Sequence, residues 1–156
     1  METINLCDNT NFLNKVGKGS RILGIDPGKK NVGISISDTN QKIASPLKII
    51  VIKKFKKFIE DLNQVILDYE IKGIVIGNPI NMDGSLGPRS QSAKDFAQNI
   101  SKVTNLPITL WDERLSSEGA FNLMGDLDIN SSKKREKLDQ HAAAFILQGY
   151  LDFLNK

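Results

Sequence analysis

Apolar positions along this chain change period at identifiable points. From Arg21 to Asp26 they run almost unbroken (Ile22-Leu23-Gly24-Ile25), the pattern of a strand buried on both faces. From Asn31 to Ser37, Val32, Ile34 and Ile36 alternate with smaller or polar partners, a second strand. Pro27-Gly28-Lys29-Lys30 turns between them, so the two form a hairpin, and Leu47 to Ile52 is a third β-branched run set beside it. At Lys53 the period lengthens: Phe55, Phe58, Ile59, Leu62, Val65 and Ile66 recur every three or four residues, an amphipathic helix. Ile71 to Gly77 is another buried strand, ended by Gly77-Asn78-Pro79, and Gly84 to Pro88 is a loop. Ala93, Phe96, Ala97 and Ile100 mark a second helix, Pro107 stops it, and Ile108 to Trp111 is a short strand. Leu115 to Met124 reads as a short helix, Gly125 to Lys134 as a polar, mobile stretch, and a final helix starts at about Glu136.

A three-strand meander followed by strand–helix alternation implies an α/β fold. The expected architecture is a mixed five-stranded sheet, three antiparallel strands and then parallel βαβ units, flanked by helices. In such sheets ligands gather at the carboxyl ends of the strands. Residues 21–156 make one domain. Residues 1–20 are Asn-rich and end in Gly17-Lys18-Gly19-Ser20, so they read as a flexible extension in which Phe12 and Leu13 offer docking points.

Composition adds bounds. With 156 residues, 40% hydrophobic and 25% charged, the chain can bury a real core. The single cysteine, Cys7, rules out an internal disulfide and fits a reducing cytoplasm. No apolar run approaches the roughly 20 residues of a membrane span. The formal charge of +3 is compatible with a polyanionic partner without demanding one.

Three acids stand at predicted element ends: Asp26 after the first strand, Glu113 after the last, and Asp139 ahead of Ala142-Ala143-Ala144-Phe145-Ile146-Leu147. Two carboxylates at ~4 Å repel by about 4 kcal/mol at an effective dielectric of ~20. If the three converge, a divalent cation is the usual compensation, and hard oxygen ligands suit Mg²⁺ or Mn²⁺. Two such ions between carboxylates are the machinery of phosphodiester cleavage. Each acid also has a bland reading: a turn former before Pro-Gly at Asp26, a first-turn helix acid at Glu113, a surface residue at Asp139.

The motifs that carry these acids resemble a known family. Gly24-Ile25-Asp26-Pro27-Gly28 with Val32-Gly33-Ile34-Ser35-Ile36-Ser37-Asp38 looks like the first motif of the YqgF/RuvX family. These are bacterial proteins described as Holliday junction resolvases and as nucleases maturing the precursor of the small-subunit (16S) ribosomal RNA. Gly77-Asn78-Pro79-Ile80-Asn81-Met82-Asp83-Gly84, Gly87-Pro88-Arg89, Asp112-Glu113-Arg114-Leu115-Ser116-Ser117 and Asp139-Gln140-His141-Ala142-Ala143 follow in the family's order. Asn78 stands where the family has a leucine, and Asn31 where an arginine is common. The resemblance implies a ribonuclease-H-like fold and a divalent-metal phosphodiesterase in which Asp26, Glu113 and Asp139 are the catalytic, metal-binding acids. It points to precursor ribosomal RNA as substrate, with resolution of DNA Holliday junctions as the alternative that the same acids would serve, to the small ribosomal subunit as a further partner, and to no membrane. The oligomeric state expected is a monomer or weak dimer.

The loop Asn78 to Arg89 has the make-up of a substrate loop, with side-chain amides including Asn81, glycines for close backbone approach and Arg89 as a phosphate fork; Arg114 is a further phosphate candidate. Glu136 is read as an intrahelical ion-pair partner. Lys133 to Lys137 is a candidate phosphate contact, whereas Lys53-Lys54 and Lys56-Lys57 read as a solvated helix face. His141 is assigned to packing or surface and Trp111 to the core. Two other functions compete. A strand–Asp–x–Gly turn also opens actin-like kinases and ATPases, but they need a second domain that 156 residues do not supply. A non-catalytic RNA-binding module of this fold should lack one of the acids, and none is missing.

Overall fold

The hairpin forms as its period dictates. Arg21–Asp26 (β1) pairs antiparallel with Asn31–Ser37 (β2), which pairs antiparallel with Ala44–Val51 (β3). The chain then runs through the helix Phe55–Asp68 (α2), the strand Ile71–Asn78 (β4), the helix Pro88–Ser101 (α3), the strand Ile108–Asp112 (β5) and the helix Ser131–Leu154 (α4); ahead of them all lies a helix at Asn9–Val16 (α1). The computed structural model describes residues 6–28, 30–79, 87–112 and 131–155, with side chains except at Arg89 and 131–140. The five strands form one sheet ordered β3-β2-β1-β4-β5, with β1–β4 and β4–β5 parallel. This is the mixed sheet that the sequence implies. The helix predicted over Leu115 to Met124 lies outside the described residues.

Alternation along the strands sends side chains into two cores. On one side Leu23, Ile25, Ile34 and Ile74 meet Phe58 and Leu62 of α2. On the other, Ile22, Val75 and Trp111 meet Leu147, Tyr150 and Leu151 of α4. Trp111 is a core residue, as expected, and is wholly buried.

Three expectations need correction. The segment read as a loose extension is packed from Leu6 onward. Asp8 caps α1 by accepting from the Asn11 amide at 2.8 Å, Phe12 is wholly buried, and Leu6 makes a parallel bridge to Ile108 on the outer edge of β5. The physical reason is Gly73: a Cβ there would fall 2.7 Å from the Phe12 ring and would also strike Val16, so the missing side chain is the seat of α1. Helix α4 starts at Ser131, inside the stretch read as mobile, five residues before the expected Glu136. Strand β3 starts at Ala44, because Ala44 pairs with Ser37 and its amide is held by Gln148 Oε1 at 2.9 Å. Pro46 within it is tolerated because β3 is an edge strand.

Candidate active site

Asp26 closes β1 at the carboxyl end of the parallel strands, half-buried. Strand alternation settles the face it occupies. Ile25 packs in the core beneath α2, so Asp26 belongs with Gly24 on the side covered by α4. Its partner across the ladder is Gly33. A Cβ on Gly33 would stand 3.5 Å from the Asp26 Cβ and 3.3 Å from the Ala143 Cβ. The glycine therefore leaves open the space between the acid and α4.

The helix is held close by small residues. A Cβ on Gly24 would fall 2.7 Å from the Leu147 Cβ and 3.1 Å from the Ala143 carbonyl oxygen. Ser35, wholly buried, donates through Oγ to that same carbonyl at 2.8 Å. Position 139 lies one turn before Ala143, so it shares the helix face that meets β1 and β2. Ser35 is the positioning residue that the sequence reading did not single out. The signal was present: 33, 35 and 37 are all Gly or Ser on one face of β2, the mark of a closely seated helix.

At the same end of the sheet, Asn78 of β4 pairs with Asp112 of β5. The Asn78 Oδ1 accepts from the buried Ser90 Oγ at 2.8 Å, tying the strand end to the first turn of α3, where Arg89 sits. Leu110 packs on the α2 and α3 side and Trp111 on the α4 side, which places Asp112 on the face away from α4. Asp112 is thereby separated from Asp26, although both end strands. Asp139 is described in backbone only, as is Arg89; Glu113, Arg114 and Asn81 lie outside the described residues. Among the described residues no group of three metal-ligating side chains occurs, since Asp26 alone of the three acids is described with its side chain. His141 is half-buried and borders a groove of about 380 Å³ with Pro46, Leu47, Lys48 and Ile49 of the open sheet edge.

Comparison with known proteins decides the family. A sequence profile of the RuvX family, described as "Holliday junction resolvase", matches residues 20–153. The chain belongs to the RuvX family. A Pelagibacter ubique protein named "Putative pre-16S rRNA nuclease" is 54% identical over 135 residues, 86% of this chain and 89% of its own length. Relatives of the same name occur in Rhodobacter capsulatus, 47% identical over 85% of this chain and 84% of theirs, and in Paracoccus denitrificans, 41% identical over 96% of this chain and 95% of theirs. Among solved structures, T. thermophilus RuvC in complex with Holliday junction substrate superposes with a TM-score of 0.54 over 88% of this chain and 97% of that one, at 12% identity. That likeness shows the ribonuclease-H-like fold. As a RuvX-family member the protein is a nuclease, an enzyme that hydrolyses phosphodiester bonds.

Proposed function

We propose that this RuvX-family nuclease matures the 16S ribosomal RNA precursor and that Asp26, Glu113 and Asp139 are its catalytic acids. The observation that carries the reading is Asp26 itself: a strand-end carboxylate turned toward α4 across a gap that Gly33 keeps open, with position 139 on the facing helix. Asp112 lies on the other face, which favours its neighbour Glu113 as the third acid. An all-carboxylate donor set fits Mg²⁺ or Mn²⁺. Asp26, Glu113 and Asp139 would hold such ions, and the chemistry supplied would be activation of the attacking water and stabilisation of the leaving oxygen. Ser35, by anchoring α4 at Ala143, keeps position 139 at a fixed distance from Asp26. Asn81, Arg89 and Arg114 bind substrate, the arginines as bidentate phosphate partners, with Arg89 delivered by the first turn of α3.

The substrate assignment follows the relatives' name. Cytoplasmic location, action on the small ribosomal subunit and a monomeric or weakly dimeric state are part of the same proposal. No described helix is long and apolar enough to cross a membrane. A second reading, cleavage of four-way DNA junctions, is favoured by the family's description and needs two sites in a symmetric dimer.

The test compares single-stranded RNA from the precursor with a synthetic four-way junction in Mg²⁺ or Mn²⁺. RNA cleavage that falls at least 100-fold in Asp26→Asn, with the fold intact by circular dichroism, is expected; that loss is about 2.7 kcal/mol of barrier. Symmetric paired nicks in the junction, with RNA left whole, would replace the processing role by resolution. Full activity in Asp26→Asn would remove the acid from the mechanism.

A further inference from the structure

Beside the proposed acids, at the same end of the sheet, lies a surface of opposite charge. Asp26 pairs with Gly33, and Gly33 with Ile49, so Ile49 stands two strand spacings from the acid, about 10 Å away on the same face. Two residues further toward that end, Asn31 pairs with Val51. There the Ile52 amide donates to the Lys30 carbonyl at 2.6 Å, which fastens the β1–β2 turn to the β3–α2 junction. Lys30, Lys53 and Lys54 are thereby gathered around one point, all exposed. Among the described residues none of the three has an ion-pair partner, whereas Lys57, on the body of α2, pairs with Asp61 at 3.3 Å.

Apolar side chains are interleaved with these cations. Ile49 is 38% exposed, Val51 57% and Phe55 40%, large fractions for side chains whose apolar surface normally favours burial. Ile49 also borders the 380 Å³ groove whose far wall is His141 of α4. Cations alone would be a solvated face. Cations with exposed apolar side chains, beside a site whose own charge is negative, match a strand of nucleic acid, which offers phosphates to lysine and bases to apolar and aromatic surface. At 3.4 Å per nucleotide along one strand, a 10–15 Å path corresponds to roughly three or four nucleotides.

We propose that the ridge Lys30, Lys53 and Lys54, with Val51 and Phe55, holds the single-stranded nucleic acid that flanks the scissile phosphate. It draws the phosphates that the acids would repel, and it sets the direction in which the strand leaves the site. This deepens the nuclease reading and rests on it for the identity of the ligand.

The experiment is fluorescence anisotropy of a labelled single-stranded RNA across a series of salt concentrations in EDTA, so that nothing is cut. The protein is used as the full chain, the triple variant Lys30→Gln/Lys53→Gln/Lys54→Gln and the control triple Lys18→Gln/Lys42→Gln/Lys72→Gln. The control removes the same charge from exposed positions at the opposite end of the sheet. Three lost contacts lower the log–log salt slope by about 2, at roughly 0.7 per phosphate for single strands. The ridge triple should show that loss and the control should keep the slope of the unsubstituted protein; Phe55→Ala should weaken binding with its slope unchanged. Equal slopes in ridge and control variants, or no binding by the unsubstituted protein, overturn the proposal. A ridge-dependent slope in a protein that leaves the precursor RNA uncut in the Mg²⁺ assay supports the ridge and instead removes the processing role.

Discussion

At the scale of the residue, buried polar groups show what is structural and what is spare. The Ser35 hydroxyl serves the Ala143 carbonyl at 2.8 Å and the Gly24 carbonyl at 3.3 Å. Ser35→Ala removes this buried side-chain hydrogen bonding, at a cost of about 0.5–1.5 kcal/mol, and loosens the hold on α4. We expect a lower midpoint in thermal melts and a fall in cleavage rate larger than the fall in RNA binding. The Tyr150 hydroxyl is the opposite case, buried without a partner among the described residues. Burial, and then the neighbouring Cys7, push its pKa well up. The folded state therefore keeps the proton that the unfolded chain releases near pH 10. Stability that is complete below that pH drains away as pH rises above it. Tyr150→Phe should melt at the same temperature as the unsubstituted protein or higher at pH 7, and lose stability less steeply above pH 10. A lower melting temperature at pH 7 would show that the hydroxyl has a partner.

At the scale of the element, α1 and α4 are held by glycines and small side chains rather than by their own sequences. Phe12 is wholly buried and meets the Tyr150 ring edge-on, centroids 5.6 Å apart. Phe12→Ala should cost about 3–5 kcal/mol, an amount no loose tail would give, measurable by urea titration. Here the limits of sequence reading are plain. The five strands and both βα units were legible, because apolar period is a local property of the chain. The docking of α1 was not, because eight residues are too short for a stable helix alone and become one in place only when Gly73, sixty residues on, leaves a hole for Phe12. The early start of α4 was equally hidden, since Lys133-Lys134-Arg135-Glu136-Lys137 shows no apolar stripe. Of the candidate site, Asp26 was legible as a carboxylate at the end of an apolar strand. The Gly24, Gly33 and Ser35 seat that brings α4 to Asp26 becomes visible only when two strands and a helix are placed together.

At the scale of the molecule, the two sheet edges are treated differently. On the β3 edge, Pro46 withholds an amide, Lys48 adds charge and the register shifts between Ile34 and Ser35, devices that discourage pairing with another sheet. The β5 edge is covered from within, by the Leu6 bridge and the Cys7 amide donating to the Ile108 carbonyl at 2.8 Å. A pair of chains zipped edge to edge through β5 would have to displace that segment, so sedimentation should show dimers increasing when residues 1–19 are deleted, and constant mass in the full chain over the same concentrations. The same bridge governs the order of events during folding. Cys7 meets Ile108 across 101 residues, and Phe12 seats on Gly73 and against Tyr150, so α1 has its full docking surface only once β4, β5 and α4 have come together. Until then its apolar side chains stay in water, and closing a loop of that length is slow. The amides of α1 should therefore gain protection from hydrogen exchange last in refolding, after the β1–β2 hairpin, and lose it first when the protein begins to open.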